Sequence, residues 1–573
     1  MVIQNREIAR YFEQIADYLA IQNANPFRIR AYRNAAEAIE RWPVELTKCL
    51  KEQGSIPKIP GIGKDLTDKI IKLIKGSGIA LLDDLKKKIP STLLEFLDIA
   101  GLGPRRVQAL WNKGIKTKEE LKIAAKEHKL SELKGFGSDL ESKILKSIEL
   151  GEKYQNRFLL DDAWSFCEEI KKYLLVGMPQ VELLVAGSLR RGKETVGDLD
   201  LLAISKNKTN ILKRLVEFQK CEKVINYGSK KATIQIQGGM QVDLRLIDSN
   251  SSGSALLYFT GSKDHNIALR KIAIQYGFKL SEYGLFKGNV NIASKTEKEI
   301  YQSLGMNYIE PELREGRGEV ESAIRGDLPQ LILQSQIKGD LHVHTVASDG
   351  HDSIAQMVVK AKRKGYTYLA ITDHSKRTRI AGGLNVDAFK KQYEEIDRLN
   401  EIYHPFRILK GVEVDILEDG TLDLPDSFLK DTDLTVCSIH EGFSYSSKKQ
   451  TQRMIKAMDN RYFNILGHPS GRLIGRREPY DYDFEKILRF ALERGIYIEL
   501  NSQPDRLDIN DEQSRMAKSF GVPIVISSDA HSAIELDFIE FGIKQARRGW
   551  LEKTDVLNTF SFDQLIRKLN SGR

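Results

Sequence analysis

The 573-residue chain has only four cysteines, Cys49, Cys167, Cys221 and Cys437, and no two of them form a C-x-x-C pair. This excludes a disulfide framework and a cysteine-built zinc site, and reduced bystander thiols are expected. No apolar run reaches membrane-spanning length, and the start, MVIQNREIAR, lacks the apolar core of a secretion signal. An unprocessed cytoplasmic chain without membrane contact is therefore expected. Histidine is also scarce, ten in all, which makes its placement informative. The remaining composition, 41% apolar and 29% charged, is that of a globular chain. Its length exceeds what one core sustains and suggests about three or four domains.

The net charge of +9 is unevenly spread. Residues 1–160 hold 29 basic against 21 acidic side chains, residues 161–330 hold 24 against 22, and the rest 35 against 36. The positive excess thus belongs to the N-terminal quarter, where a phosphate backbone would be held.

The most informative stretch is GSLRRGKETVGDLDLL, residues 187–202, preceded by the apolar run VELLVA. Residues i and i+2 of a strand share a face, so Asp198 and Asp200 project together with Leu199 behind them. Paired carboxylates repel unless a divalent cation neutralises them, and oxygen ligands suit Mg2+ or Mn2+. Asp243, in the strand-like QVDLRLI after a Gly238-Gly239 turn, supplies a third acid. Three acids on neighbouring strands can hold two metals for a phosphoryl displacement. Ser188, Arg190 and Arg191 stand where a Gly-Ser turn and guanidinium groups receive a triphosphate.

The combination of GS, RR, GDLD with Gly197, and the later VDLR resembles the nucleotidyltransferase palm of the family X DNA polymerases, the group of DNA polymerase beta. The run YFTGSKDHNIALRKIAIQYGFKLSEYGLF (258–286) is similar to that family's thumb. The resemblance implies that Tyr258, Phe259 and Gly261 pack under the incoming sugar. It also implies that Asn266 and Arg270, four apart on a helix, touch minor-groove base edges. Three departures accompany it: Lys263 stands for an acid, Val196 for a phosphate-contacting serine and Gln241 for an arginine.

Upstream, three segments place an apolar residue between glycines ahead of a helix start: KIPGIGKDLTDKII, DIAGLGPRRVQAL and ELKGFGSDLESKIL. Glycine lets backbone approach a phosphate, and free helix N-terminal amides bind it. These resemble helix-hairpin-helix units, which imply DNA-backbone contacts at Gly61, Gly63, Gly101 and Gly103. The first unit also resembles the polymerase beta lyase domain, where Lys69 falls at the Schiff-base lysine and Tyr32 and Arg28 at supporting residues. Asp65 stands where that family has a basic residue.

From residue 338 short apolar strands alternate with helices: LHVHT, YLAITDH, ILKGVEVDI, LTVCSIH, FNILGHP, YIELNS and PIVISSDAH. This argues for parallel strands in a barrel with outer helices, whose site lies at the C-terminal strand ends. Six of the ten histidines fall there: His342, His344, His374, His440, His468 and His531. With Glu413 and Asp529 they read as a cluster for Zn, Mn or Fe. The pattern resembles the PHP (polymerase and histidinol phosphatase) domain. In that family Asp349 corresponds to a further ligand, which implies a complete set with room for three metals and phosphate-ester hydrolysis. Arg379, Arg472, Arg476 and Arg477 are candidates for holding flanking phosphates.

The expected fold is a multidomain α+β chain. It has a lyase-like helical domain (1–95), a second helix-hairpin-helix subdomain (96–155), and palm with thumb (156–315). A linker (316–337) and a distorted (β/α)7 PHP barrel (338–573) follow. The whole resembles the PolX type of bacteria and archaea. It implies gap-filling, template-directed DNA synthesis in repair on gapped or nicked DNA with dNTPs, and a metal-dependent 3′–5′ exonuclease. The same resemblance implies abasic-site cleavage or removal of 3′ blocking groups, and a monomer is expected. The rival readings are a nucleotidyltransferase acting on RNA ends or small molecules, and a barrel that is only a brace or a small-molecule phosphatase.

Overall fold

The structure, a computed structural model, describes residues 3–570 apart from 4, 41, 43, 100, 134, 206–209 and 379–380. It divides into two compact units, residues 1–155 with 475–478, and residues 156–474 with 479–573.

The first unit is helical. In α1 (Asn5–Ile21) the residues Ile8, Phe12, Ile15 and Leu19 recur at helical spacing and are buried. With α2 (Pro26–Glu40), α3 (Lys64–Ile74), α4 (Pro104–Asn112) and α5 (Ser138–Lys153) they form one core running from Ile8 to Ile148. The expected break near residue 95 is therefore not a break in the core. Each of α3, α4 and α5 starts at an extended glycine N-cap, Gly63, Gly103 or Gly137. Two residues earlier the chain turns at Gly61, Gly101 or Gly135, with φ of 79°, 86° and 90°.

The second unit begins with β1 (Phe158–Leu159). The chain continues through β2 (Glu182–Val185), α6 (Gly187–Arg190), β3 (Thr195–Val196), β4 (Asp198–Ile204), β5 (Cys221–Tyr227), β6 (Lys231–Ile236) and β7 (Gln241–Ile247). β1 pairs with β3, and the other five form a sheet in the order β2-β4-β7-β6-β5, parallel only between β4 and β7. Next come α7 (Ser252–Thr260), α8 (Lys263–Gln275) and a three-stranded sheet of β8 (Lys279–Ser281), β9 (Gly284–Lys287) and β10 (Val290–Ala293).

Residues 316–337, expected as a linker, instead carry α9 (Glu319–Arg325), whose Val320 and Ala323 join the core beneath α7 and α8. The sequence there looks solvated because its acid is satisfied internally: buried Glu319 Oε1 lies 2.7 Å from His265 Nδ1. The same region holds a fully buried guanidinium. Arg314 donates to Glu297 Oε1 at 2.6 Å and twice to the Ile309 carbonyl, while Glu297 also receives both Arg190 Nη atoms, at 2.8 and 2.7 Å.

Seven parallel strands follow in sequence order: β11 (Gly339–Asp340), β12 (Tyr368–Ile371), β13 (Arg407–Asp415), β14 (Leu434–Ser438), β15 (Ile465–Leu466), β16 (Tyr497–Asn501) and β17 (Ile524–Ser527). A parallel bridge between Val343 and Ala530 brings the first strand's extension beside the last, so the barrel is nearly closed. Alternation sorts the side chains: Leu369 and Ile371 pack outward under the helices, whereas Tyr368, Ala370, Leu409, Val436 and Val525 fill the interior. With the interior filled, polar chemistry is left to the C-terminal strand ends. α10 (Ile539–Arg548) packs after β17.

Replacing Glu297 with glutamine should strip two arginines, one of them fully buried, of their counter-charge. We expect a loss of about 3–5 kcal/mol in the second unit's unfolding free energy. Denaturant titration checks it, and a loss below about 1 kcal/mol would contradict this account of the buried pair.

Candidate active sites

Asp200 and Asp243 are register partners on the adjacent parallel strands β4 and β7, and Asp198 lies two residues before Asp200 on the same face. Leu199 between them is fully buried. One oxygen from each carboxylate lies within 4.8 Å of the others. Burial and the charges of Asp198 and Asp243 push Asp200 up to about 7, and burial and Asp243 also raise Asp198. Asp243 goes the other way. Burial raises it, but hydrogen bonds from Lys231 and Thr233 and the Lys231 charge outweigh that. Lys231 Nζ is 2.8 Å from Asp243 Oδ1, Thr233 Oγ1 donates to the same oxygen, and Gln241 Nε2 donates to Oδ2 at 3.2 Å. Lys231 thus provides a cation beside the third aspartate, where the sequence has Gln241. Three carboxylates this close form an oxygen-donor set that fits Mg2+ or Mn2+.

The turn before β4 is fixed by contact. Gly187 has φ of 63°, and a Cβ there would lie 2.2 Å from Asp200 Oδ2. Only glycine lets the Ser188 turn approach the carboxylates so closely. Ser188 is half-buried in α6. Arg191 Nε donates to Glu315 Oε1 at 2.9 Å, and its Nη1 donates to the Thr260 carbonyl at 2.5 Å. Arg190 is a correction: its guanidinium is tied to Glu297 and Thr260 Oγ1, so it braces α6 against α7 rather than facing a triphosphate. Gly197 leads into β4 with Arg157 Nη1 alongside.

On the other wall, Tyr258 and Phe259 end α7, with ring centroids 5.0 Å apart and nearly perpendicular planes. Asn266 Nδ2 donates to the Tyr258 carbonyl at 2.8 Å, and the Arg270 guanidinium lies 5.2 Å from the Tyr258 ring. Asn266 and Arg270 therefore share one face of α8, and Gly261 caps α7 with φ of 68°. In the helical unit, Lys69 is ion-paired with Asp65 one turn earlier and lies 5.9 Å from the Tyr32 ring.

At the barrel's C-terminal end, the described residues group as His344, Asp349, His374 and His531; His342, His344 and Asp529; and His374, Glu413 and His440. His468 joins through its Nε2, 3.0 Å from Glu413 Oε1. Asp529 and His531 lie past the end of β17, with Asp529 at φ of 51°, and not along the strand. Several buried atoms of this cluster make no well-aligned hydrogen bond, among them His342 Nε2, both nitrogens of His344 and His468 Nδ1. They crowd on the carboxylates instead: His374 Nδ1 is 2.7 Å from Glu413 Oε2 and His344 Nε2 3.1 Å from Asp529 Oδ1. Imidazole nitrogens and carboxylate oxygens converging within 4.8 Å in a buried pocket are a donor set for a cation, and the mixed imidazole–carboxylate chemistry fits Zn, Mn or Fe.

The residues that orient these ligands escaped the sequence reading. Glu499 Oε1 accepts from His342 Nδ1 at 2.7 Å, and Asp415 Oδ1 accepts from His440 Nδ1 at 2.7 Å. In the neutral imidazole each such bond leaves the Nε2 lone pair turned toward the cluster, where a metal would take it. Burial opposes a proton on His342, yet the charges of Asp529, Glu499 and Glu413 raise it well above its ordinary value. Burial likewise opposes one on His440 and on His531. Even so, Glu413 and Asp415 lift His440 to about 9, and Asp349 and Asp529 lift His531 to about 9.

Of the arginines expected to hold phosphates, Arg379 lies outside the described residues. Arg476 and Arg477 belong to the 475–478 segment of the helical unit. Arg472 is a correction: it is 8% exposed and donates to Glu194 Oε2 at 2.7 Å and to the Leu507 carbonyl at 2.5 Å.

Family comparisons agree with this layout. Residues 3–77 match a helix-hairpin-helix domain, 93–149 a SAM-like helix-hairpin-helix tandem, 255–315 the DNA polymerase beta thumb, and 340–503 the PHP domain. The chain is 37% identical over 565 residues to the DNA polymerase/3′-5′ exonuclease PolX of Bacillus subtilis (strain 168), covering 98% of each chain. It is also 31% identical over 236 residues to a probable phosphatase of Thermoanaerobacter sp. (strain X514), covering 38% of this chain and 89% of that protein. A probable phosphatase of Caldanaerobacter subterraneus is 31% identical over 246 residues, 41% of this chain and 91% of its own.

With His440 and His531 titrating near 9, the metal-free barrel holds protons at pH 7.5 that metal must displace. Metal affinity should therefore rise as pH rises toward about 9 and fall below it. Calorimetry of Mn2+ uptake in two buffers of different ionisation heat should give different apparent enthalpies; equal enthalpies would contradict the assignment.

Proposed function

Since the chain belongs to the DNA polymerase/3′-5′ exonuclease PolX family, we propose that its palm extends a DNA primer on a template across short gaps while its barrel shortens 3′ ends. The observation that carries this reading is the presence, in one compact unit, of two separate clusters with metal-binding chemistry. Asp198, Asp200 and Asp243 would hold Mg2+ or Mn2+, with Asp243 nearest the primer terminus. Divalent cations bound there would lower the pKa of the primer 3′-OH and offset charge on the transferring phosphoryl group. Ser188 and Arg191 receive the triphosphate, Arg191 leaving Glu315 to do so. Tyr258 and Phe259 form the surface under the sugar, and Asn266 and Arg270 face the minor-groove edges of the nascent pair. The amides that follow Gly61, Gly63, Gly101 and Gly103 hold the DNA backbone without reading sequence.

In the barrel, His342, His344, Asp349, His374, Glu413, His440, His468, Asp529 and His531 would hold Mn, Zn or Fe. Asp415 and Glu499 keep His440 and His342 in the tautomers that present Nε2. Metals held there would supply hydroxide near neutral pH and stabilise phosphoryl charge. The likeness to probable phosphatases supports phosphoester hydrolysis here, with a small phosphate ester as the competing substrate class. In this reading, gapped DNA, dNTPs and a monomeric protein are the working assembly. Among the described residues no helix is long and apolar enough to cross a membrane.

The test uses a labelled primer facing a one-nucleotide gap, with Mn2+, with and without dNTPs. Asp198→Ala/Asp200→Ala should abolish extension, a loss of at least about a thousandfold, and keep shortening. His440→Ala should do the reverse. Shortening that survives His440→Ala, or yields only to competition by a small phosphate ester, would move the barrel's substrate away from DNA.

A further inference from the structure

The loop from Arg191 to Glu194 connects the Ser188 turn with the aspartate strand β4, and the barrel holds it from outside. One face of α10 carries Phe541, Lys544, Gln545 and Arg548 at spacings i, i+3, i+4 and i+7. Phe541 packs on the palm core, and Lys544 Nζ lies 4.5 Å from the Trp164 ring. Gln545, 1% exposed, donates to the Gly192 carbonyl at 2.8 Å. Arg548, 3% exposed, donates through Nη1 to the Arg191 carbonyl at 2.9 Å and to Glu315 Oε1 at 2.8 Å, and through Nη2 to Asp511 Oδ2 at 2.7 Å. Arg472 adds its bond to Glu194. The fit is close: Gly192 has φ of 65°, and a Cβ there would come within 3.2 Å of Lys544 Cβ.

Glu315 is the pivot. Its carboxylate lies between Arg191 and Arg548, with Lys193 Nζ at 3.6 Å. Burial raises its pKa, but the charges of Arg548 and then Arg191 bring it down to about 2. Because Arg548 stays with Glu315, Arg191 can exchange that carboxylate for a phosphate without leaving a buried anion unpaired. Without Arg548, Glu315 would hold Arg191 more tightly and the loop would lose a backbone anchor.

We infer that Arg548 and Gln545 of the C-terminal barrel are positioning residues for nucleotide binding at the palm, fixing the 191–194 loop and freeing Arg191 for the triphosphate. The inference rests on reading Ser188 and Arg191 as the triphosphate's receivers. The barrel is then a working part of the polymerase as well as an enzyme in its own right.

Single-turnover extension by the full-length protein, titrated with the correct dNTP, tests this. Arg548→Met should weaken apparent dNTP affinity about tenfold, the worth of one charged hydrogen bond, and leave the maximal rate within about twofold. Shortening of a 3′ end should be unchanged. A merely structural role would lower the reacting amplitude and leave the dNTP dependence alone. If Arg548→Met does not fold, Gln545→Ala, which removes one neutral hydrogen bond, should weaken affinity about three- to fivefold. An unchanged dNTP dependence in folded variants overturns the inference. Arg191→Ala, run beside them, separates the two levels: if it shifts dNTP affinity and the barrel variants do not, only the inference falls. If Arg191→Ala shifts nothing, the reading beneath it falls too.

Discussion

Like charges and lone pairs held close together in poorly solvated pockets are the constraint on which this molecule depends. In the palm, parallel pairing of β4 with β7 sets Asp200 beside Asp243, and strand alternation adds Asp198. In the barrel, a filled interior pushes the imidazoles and carboxylates to the strand ends, where three histidines crowd within 3.6 Å of Glu413 Oε2 and both nitrogens of His344 lack a well-aligned hydrogen bond. Neither arrangement is favourable for the bare chain. Each makes sense as a place where divalent cations complete the electrostatics, and the rest of the fold holds the donors in position.

That support is largely non-local. Glu297 joins Arg190 of the Ser188 turn to Arg314 far along the chain, and Glu315 joins Arg191 to Arg548 of the barrel. The segment that opens at Asp529 and His531 continues into α10, so one βα unit carries metal-site side chains at its strand end and grips the palm loop with its helix. The two candidate sites are chemically separate, yet they share a scaffold.

Much of this was legible in the sequence because it obeys local periodicity. The i, i+2 rule paired Asp198 with Asp200, the repeated Gly-x-Gly marked helix starts, and histidines at the ends of apolar strands marked the barrel's rim. What stayed hidden depends on register and long-range contact. Thr233 faces Asp243 across the Gly238-Gly239 hairpin, and Lys231 follows on the same strand; counting outward from that turn would have found both. Asp415 stands two residues after Glu413 on β13 and Glu499 lies in YIELNS, but only the closed barrel shows which histidine each orients. Arg190 and Arg472 look like free cations in the sequence and are spent on Glu297 and Glu194. The segment after residue 315 reads as solvated because nothing local reveals that His265 receives Glu319.

The central claim is that both clusters are real and separate metal sites. Anomalous diffraction from crystals soaked in Mn2+ with a primer–template and a non-hydrolysable dNTP analogue tests it most directly. The account predicts peaks between Asp198, Asp200 and Asp243, with Lys231 displaced from Asp243, and separate peaks among the barrel histidines, Asp349, Glu413 and Asp529. Peaks in the barrel alone, with Lys231 still paired to Asp243, would contradict the palm assignment. An empty barrel would contradict the barrel assignment and leave its convergent donor atoms without the explanation offered for them.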